Sequence, residues 1–277
     1  MVGQKNLLKQ IDWMCEAGCF PRFSIILGDN GKQETELSIY IANKLQSFVF
    51  DLVDNKIDTI RQVITDAYKI HKPMVYIFHN ADDMSVPAKN ALLKVTEEPP
   101  NNAYFIMLLT DANNTLDTIR SRAIQLKMEP YSWDELKQYF ESNWQAADDY
   151  KKLVLDLSAT PNDIDILQTQ VEPCTADKFY AYVAKVVDNI GTVSGANSFK
   201  IAEKVALKDE PEKYDLKMFW RACCKLFNDK AKNAYDYIDY WQACKKTSDA
   251  LKKLGIKGVN KQMLFDSWIL DIREVLR

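Results

Sequence analysis

Four short, unbroken apolar runs alternate with stretches of helical character through the first half of the chain, and that alternation constrains the fold more than any other feature. The runs occupy residues 23–27 (FSIIL), 48–52 (FVFDL), 75–78 (VYIF) and 104–109 (YFIMLL). Continuous apolar character of this length suits strands buried on both faces of a parallel sheet. The stretches at 35–46, 57–71 and 86–98 read as helices between them. The third starts after Ser85 and stops at Pro99-Pro100, which cannot continue a helix. A doubly wound α/β domain over residues 1–130 is the expected result.

After Pro130 the strand signals cease. Ser132 followed by Glu135 forms a capping-box start for a helix carrying Leu136, Tyr139 and Phe140. A further stretch with Leu153, Leu157 and Ile164 completes a small helical segment over 131–170, with Glu172-Pro173 as its boundary. From there to residue 277 only helices are expected, with Phe179, Val183, Val187 and Ile190 on one stripe and Leu264, Trp268, Ile272 and Val275 on another.

The chain of 277 residues is 47% hydrophobic and 27% charged, a balance that permits a substantial folded core. No apolar run approaches the roughly 20 residues needed to cross a bilayer, and the first residues lack the apolar core of a signal peptide, so a cytoplasmic address is expected. A formal charge of −3 argues against a DNA-coating protein, and any DNA contact must be local. Lys225, Lys230 and Lys232 read as a solvated helix face rather than a DNA track. The six cysteines form no CxxC pair; Cys15 and Cys19 lie one helical turn apart without a nearby histidine, so no metal is expected. Two histidines, His71 and His79, leave little for a His-rich centre or a hydrolase triad.

A strand, then a glycine-bearing loop, then a helix invites comparison with the phosphate-binding loop GxxxxGK[ST]. Here residues 28–35 read GDNGKQET, with Gly28 and Gly31 in the loop, Gln33 in the second glycine slot, Glu34 in the lysine slot and Thr35 in the hydroxyl slot. A carboxylate in place of that lysine repels a polyphosphate by a few kcal/mol at about 4 Å, taking an effective dielectric near 20. Lys32 is placed in the loop, ahead of the helix. The third strand should end in the carboxylates that hold magnesium and polarise water. His79 and Asn80 follow it instead, and neither brings negative charge to a hard cation. No bound nucleotide or other cofactor is expected.

The run from Val75 to Pro100, VYIFHNADDMSVPAKNALLKVTEEPP, resembles the segment of bacterial clamp-loader subunits in which an Asp-Glu-Ala-Asp strand end precedes an Asn-Ala-Leu-Leu-Lys helix and a Glu-Glu-Pro-Pro stop. Asn90, Ala91, Leu92, Leu93, Lys94, Glu97, Glu98, Pro99 and Pro100 match as they stand. Residues 118–123 (TIRSRA) resemble the Ser-Arg-Cys motif of the same family, with Ala123 in place of the cysteine. The resemblance is strong over residues 20–130 and architectural thereafter. It implies an AAA+ α/β core with a degenerate loop over 1–130, a helical lid over 131–170, and an all-α oligomerising collar over 171–277.

Within that family the delta-prime subunits of DNA polymerase III, bacterial or phage, commonly lose the nucleotide motifs and keep the arginine. The resemblance therefore implies a non-catalytic subunit that presents Arg122 in trans to ATP in a motor subunit, with Arg120 as the alternative. Its partners would be motor and delta-like subunits and, indirectly, the sliding clamp and primer-template DNA, with no membrane. The chain departs from the family by lacking the four-cysteine zinc module. It also has Asn162 and Asp163, in SATPND at 158–163, where active members carry a lid arginine. Two other readings stay open: an ATPase with an unusual loop, and a relic AAA+ interaction protein without a replication role.

Overall fold

A computed structural model describes residues 1–29, 31–169, 176–191, 205–206, 214–233, 237–256 and 258–276. The chain divides into two compact units, Met1–Gln138 and Tyr139–Arg277. Glu172-Pro173, the expected boundary, lies outside the described residues.

The first unit holds a five-stranded sheet built from β1 (Phe23–Leu27), β2 (Phe48–Leu52), β3 (Met74–Phe78), β4 (Ala103–Leu109) and β5 (Ile124–Lys127), in the order β2-β3-β4-β1-β5. Every pairing in it is parallel. Side chains alternate between two buried faces, which is why β1, β3 and β4 read as continuous apolar runs. Phe23, Ile25, Tyr76, Phe78, Phe105 and Met107 join α3 (Ile57–Ala67) and α4 (Val86–Ala91) in one core. Ile26, Val75, Ile77, Ile106 and Leu108 join α1 (Lys5–Glu16) and α2 (Lys32–Lys44) in the other. Phe105 anchors the first core, its ring 5.2 Å from Tyr76 and 6.2 Å from Phe23.

Several sequence expectations are corrected here. β2 is not buried on both faces: it is an edge strand pairing with β3 alone, and Phe48, Val49 and Phe50 are exposed. The stretch at 86–98 is two helices, α4 and α5 (Leu93–Glu97), interrupted at Leu92. Its start is as expected, with Ser85 Oγ accepting the Ala88 N–H at 3.3 Å and Pro87 in the first turn. α1 and β5 went unread. β5 buries only Leu126 and has the sequence IQLK, too polar to register as an apolar run. A short helix, α6 (Asp117–Arg120), leads into it.

The capping box at Ser132 forms as read: Glu135 Oε2 accepts the Ser132 N–H at 2.8 Å, and the Glu135 N–H donates to Ser132 Oγ at 3.3 Å. The Ser132 N–H, and then the Ser132 hydroxyl donating at 2.9 Å, hold the Glu135 carboxyl below its usual range. It starts α7 (Trp133–Asn143).

The second unit continues with α8 (Asp148–Leu157), α9 (Pro161–Thr169), α10 (Ala176–Asn189), α11 (Leu216–Asn233), α12 (Tyr237–Leu254) and α13 (Lys261–Val275). Phe179, Val183, Val187 and Ile190 form a buried stripe on and just beyond α10. Phe219, Trp220, Phe265 and Trp268 pack as an aromatic cluster with ring centroids 5.6–6.3 Å apart. The Trp268 indole N–H finds Thr247 Oγ1 at 2.9 Å, satisfying a buried donor. Among its described residues the region is helical but for one parallel pair, β6 (Val205–Ala206) with β7 (Tyr214–Asp215), which the all-helical expectation did not include.

Candidate functional site

The loop after β1 ends at Gly31, whose extended backbone caps α2. Glu34, at the third helical position, folds back over the loop. Its Oε1 accepts the Asp29 N–H at 2.6 Å and its Oε2 accepts the Gly31 N–H at 2.9 Å. The side chain is 4% exposed. In a phosphate-binding loop such N–H groups and the helix N-terminus face a phosphate. Here the anion they face is the chain's own carboxylate. Gly28 makes room for it, since a Cβ at that position would stand 2.0 Å from Glu34 Oε1.

Gln33, in the lost glycine slot, is also buried; its Oε1 accepts the Val2 N–H at 2.9 Å and its Nε2 donates to Glu36 at 3.3 Å. Burial, and then the nearby Glu34 carboxylate, push the Tyr131 phenol well above its ordinary value. Thr35 sits half-buried in the first turn of α2. Lys32 is not a loop residue as expected: it is the first residue of α2. The cause is Glu34, whose bond to the Gly31 N–H fixes Gly31 as the cap and so starts the helix at Lys32.

At the end of β3, His79 Nε2 lies 3.1 Å from Asp51 Oδ1, and its backbone N–H donates to Leu52 at 3.0 Å. Asn80 adopts a left-handed conformation at φ 47°, which asparagine tolerates better than most residues. The carbonyls of both accept from the Asn55 amide. Asp82, in the turn after β3, is engaged elsewhere. It accepts the Thr110 N–H at 2.9 Å, the Thr110 hydroxyl at 3.0 Å and the Asn114 amide at 2.7 Å. Lys89, 2% exposed, donates to the Asp82 and Asn114 carbonyls and ties the turn after β3 to the turn after β4. Sequence reasoning missed this network, because its members are separated by up to 32 residues and carry no local pattern. Among the described residues, no three His, Cys, Asp or Glu side chains gather as metal ligands.

Arg122 stands between α6 and β5, 40% exposed. Its Nη2 lies 2.9 Å from Glu97 Oε1, and its Nη1 donates to the Thr118 carbonyl at 2.9 Å. The structure thus brings together the two motifs singled out in the sequence, since Glu97 belongs to the Glu-Glu-Pro-Pro stop. Arg120 points into a different set, with Asp117 Oδ1 at 2.7 Å and Asn113 Oδ1 at 2.6 Å. An exposed ion pair such as Arg122–Glu97 is worth about 0–1 kcal/mol, so the guanidinium can be released at small cost.

In the second unit, Asp163 is a structural hub. It caps α9 by accepting the Ala159 and Thr160 N–H groups at 2.9 and 3.0 Å, pairs with Arg221, and lies 3.3 Å from Lys217. Lys225, Lys230 and Lys232 each meet a carboxylate: Asp156 at 3.0 Å, Asp188 at 2.7 Å and Asp229 at 3.6 Å.

Residues 39–132 match the model of a family described as DNA polymerase III, delta subunit. That span contains both motifs and begins after the loop. Two curated relatives are each named DNA polymerase III subunit gamma. One, from Buchnera aphidicola subsp. Schizaphis graminum, is 23% identical over 171 residues, covering 51% of this chain and 47% of its own. The other, from Buchnera aphidicola subsp. Acyrthosiphon pisum, is 23% identical over 163 residues, covering 56% of this chain and 45% of its own. This chain is similar to DNA polymerase III subunits. It spans about half the length of the curated relatives it matches.

Two solved structures share the fold. A DNA polymerase III gamma subunit-related protein from Thermotoga maritima superposes with a TM-score of 0.51 at 15% identity, covering 98% of this chain and 100% of its own. A point variant of RuvB from the same organism gives 0.51 at 17%, covering 98% and 88%. The fold is therefore the parallel α/β sheet architecture expected from the sequence, followed by a helical region. No helix among the described residues is long and apolar enough to cross a membrane.

Proposed function

We propose that this chain is a non-catalytic, delta-prime-like clamp-loader subunit of DNA polymerase III. It assembles with ATP-hydrolysing motor subunits and a delta-like subunit in the cytoplasm and presents Arg122 in trans to a neighbour's ATP, helping to load the sliding clamp on primer-template DNA. Residues 131–170 serve as the lid and 171–277 as the oligomerising collar. One observation carries this reading: Glu34 fills the anion cradle of the loop while Arg122 remains half exposed in a surface ion pair. A site whose N–H groups are satisfied by an internal carboxylate has nothing to offer a γ-phosphate, and a permanently charged, forked guanidinium suits one in a neighbour. The same observation weighs against an ATPase with an unusual loop.

The isolated chain is expected to bind Mg-ATP with a Kd above the millimolar range and to show no ATP turnover. Calorimetry returning micromolar Mg-ATP binding overturns this part of the reading. Gln33→Gly combined with Glu34→Lys, which restores the loop template, is expected to leave hydrolysis undetectable, because His79 and Asn80 supply no carboxylate for a metal or a water. Turnover by that double variant would show that the strand end is competent after all. Co-expression with the other clamp-loader subunits of the same genome, followed by a mass measurement of the purified complex, tests the assembly. A chain that joins no complex refutes the assignment.

A further inference from the structure

Cys224 on α11 and Cys244 on α12 meet where the two helices cross. The Cys224 thiol lies 3.7 Å from the Cys244 carbonyl and the Cys244 thiol 3.6 Å from the Cys224 carbonyl, a reciprocal arrangement that sets each sulfur against the other residue's backbone. Both are partly exposed, in contrast to fully buried Cys223 beside them. Both line an open cavity of about 470 Å³ whose rim carries Arg221, Lys225 and Lys232 against Asp156 and Asp229. Two thiols in register across a helix pair, reached from a roomy cavity with one more cation than anion on its rim, are more than a packing contact requires.

We propose that Cys224 and Cys244 form a thiol–disulfide exchange site whose co-reactant is a small anionic disulfide of the glutathione type. The Cys244 thiolate attacks one sulfur of the small disulfide. That S–S bond breaks, a mixed disulfide forms on Cys244, and one small thiol leaves after taking a proton from water. The Cys224 thiol then gives its proton to solvent and attacks the Cys244 sulfur. The second small thiol leaves and an intramolecular disulfide joins α11 to α12. The chain loses two electrons and two protons, and the small disulfide is reduced to two thiols, so the exchange balances without a further oxidant. Cys244 is the attacking residue because its pairing with the neighbouring Cys224 thiol holds it below the ordinary thiol value, whereas that same pairing, and then burial, push Cys224 up. The product staples the crossing of the two helices and is reversed by excess thiol.

The test uses the folded 277-residue chain and glutathione disulfide, followed by alkylation, digestion and mass measurement. The expected result is the loss of two hydrogens, a Cys224–Cys244 cross-linked peptide, and loss of alkylation at both positions, all restored by dithiothreitol. The Cys224→Ser variant, which lacks the resolving thiol, is expected to keep a glutathione adduct on Cys244, and Cys244→Ser to gain none at Cys224. Full alkylation of both residues after treatment overturns the proposal, as does a cross-link from either residue to a different cysteine. These readouts on the unmodified chain do not depend on either variant folding. A neutral disulfide that reacts as fast as glutathione disulfide overturns the role given to the cationic rim.

Discussion

Arg122→Ala is expected to fold and assemble normally and to strip a reconstituted clamp loader of most of its DNA-stimulated ATPase and clamp-loading activity. Folding should survive because the side chain is 40% exposed and its bonds are an ion pair to Glu97 and a hydrogen bond to the Thr118 carbonyl, together worth about 1 kcal/mol at the surface. Activity should fall because an arginine delivered in trans to a γ-phosphate contributes about 10³ to 10⁵ in rate at the site it serves. Glu97 makes the test sharper. Glu97→Gln removes the parking partner without removing the guanidinium, so it is expected to leave the ATPase rate near its starting value. Equal losses in both variants would mark the pair as structural rather than as a resting place for a finger. Arg120→Ala separates the two candidates: if Arg120→Ala lowers both rates while Arg122→Ala does not, the finger lies two residues earlier. Were neither change to matter, the trans-acting arginine would have to be abandoned. Each arginine has its own carboxylate partner, Asp117 or Glu97, so each substitution perturbs a different local network.

Asp163→Ala is expected to destabilise the second unit by about 3 kcal/mol, the low end of the range for removing one partner of a buried ion pair. The Asp163 side chain is fully buried, whereas Arg221 and Lys217 are 22% and 32% exposed, so water recovers part of the loss. The substitution also deletes the carboxylate that caps α9. Asp163→Asn keeps an acceptor for the cap but not the charge and should fall between the two. Thermal unfolding of the three proteins reads out this order, and an Asp163→Ala protein as stable as its parent would refute the hub.

The same residue gives a pH dependence. Burial alone pushes the Asp163 carboxyl up, but Arg221, Lys217 and the Ala159 N–H more than offset it and hold the group below its ordinary value. A depressed folded-state pKa contributes stability above the unfolded value near 3.9 and loses it as pH falls through the folded value. Acid unfolding of the parent should therefore steepen below about pH 4, and Asp163→Asn should lack that component. A parent and variant with superimposable acid transitions would remove Asp163 from the account.

The sequence by itself determined what is local: β1, β3 and β4 from unbroken apolar runs, the cap at Ser132 and Glu135 from spacing, the stop at Pro99, the lost lysine and glycine at 33 and 34, and the arginine motif at 118–123. Periodicity and backbone chemistry act within a few residues, so a linear reading captures them. It placed β2 correctly but took it for a doubly buried strand, and it overlooked β5, because an edge strand is defined by the absence of a neighbour, which no single run encodes. Tertiary structure alone decided where side chains found their partners. It turned Glu34 from a missing lysine into the anion of its own loop, set Arg122 on Glu97, and seated Asp163 against Arg221 58 residues away. Each of these outcomes rests on burial and on the need of buried charges and N–H groups for partners, and partner choice at long separation is made by packing rather than by pattern.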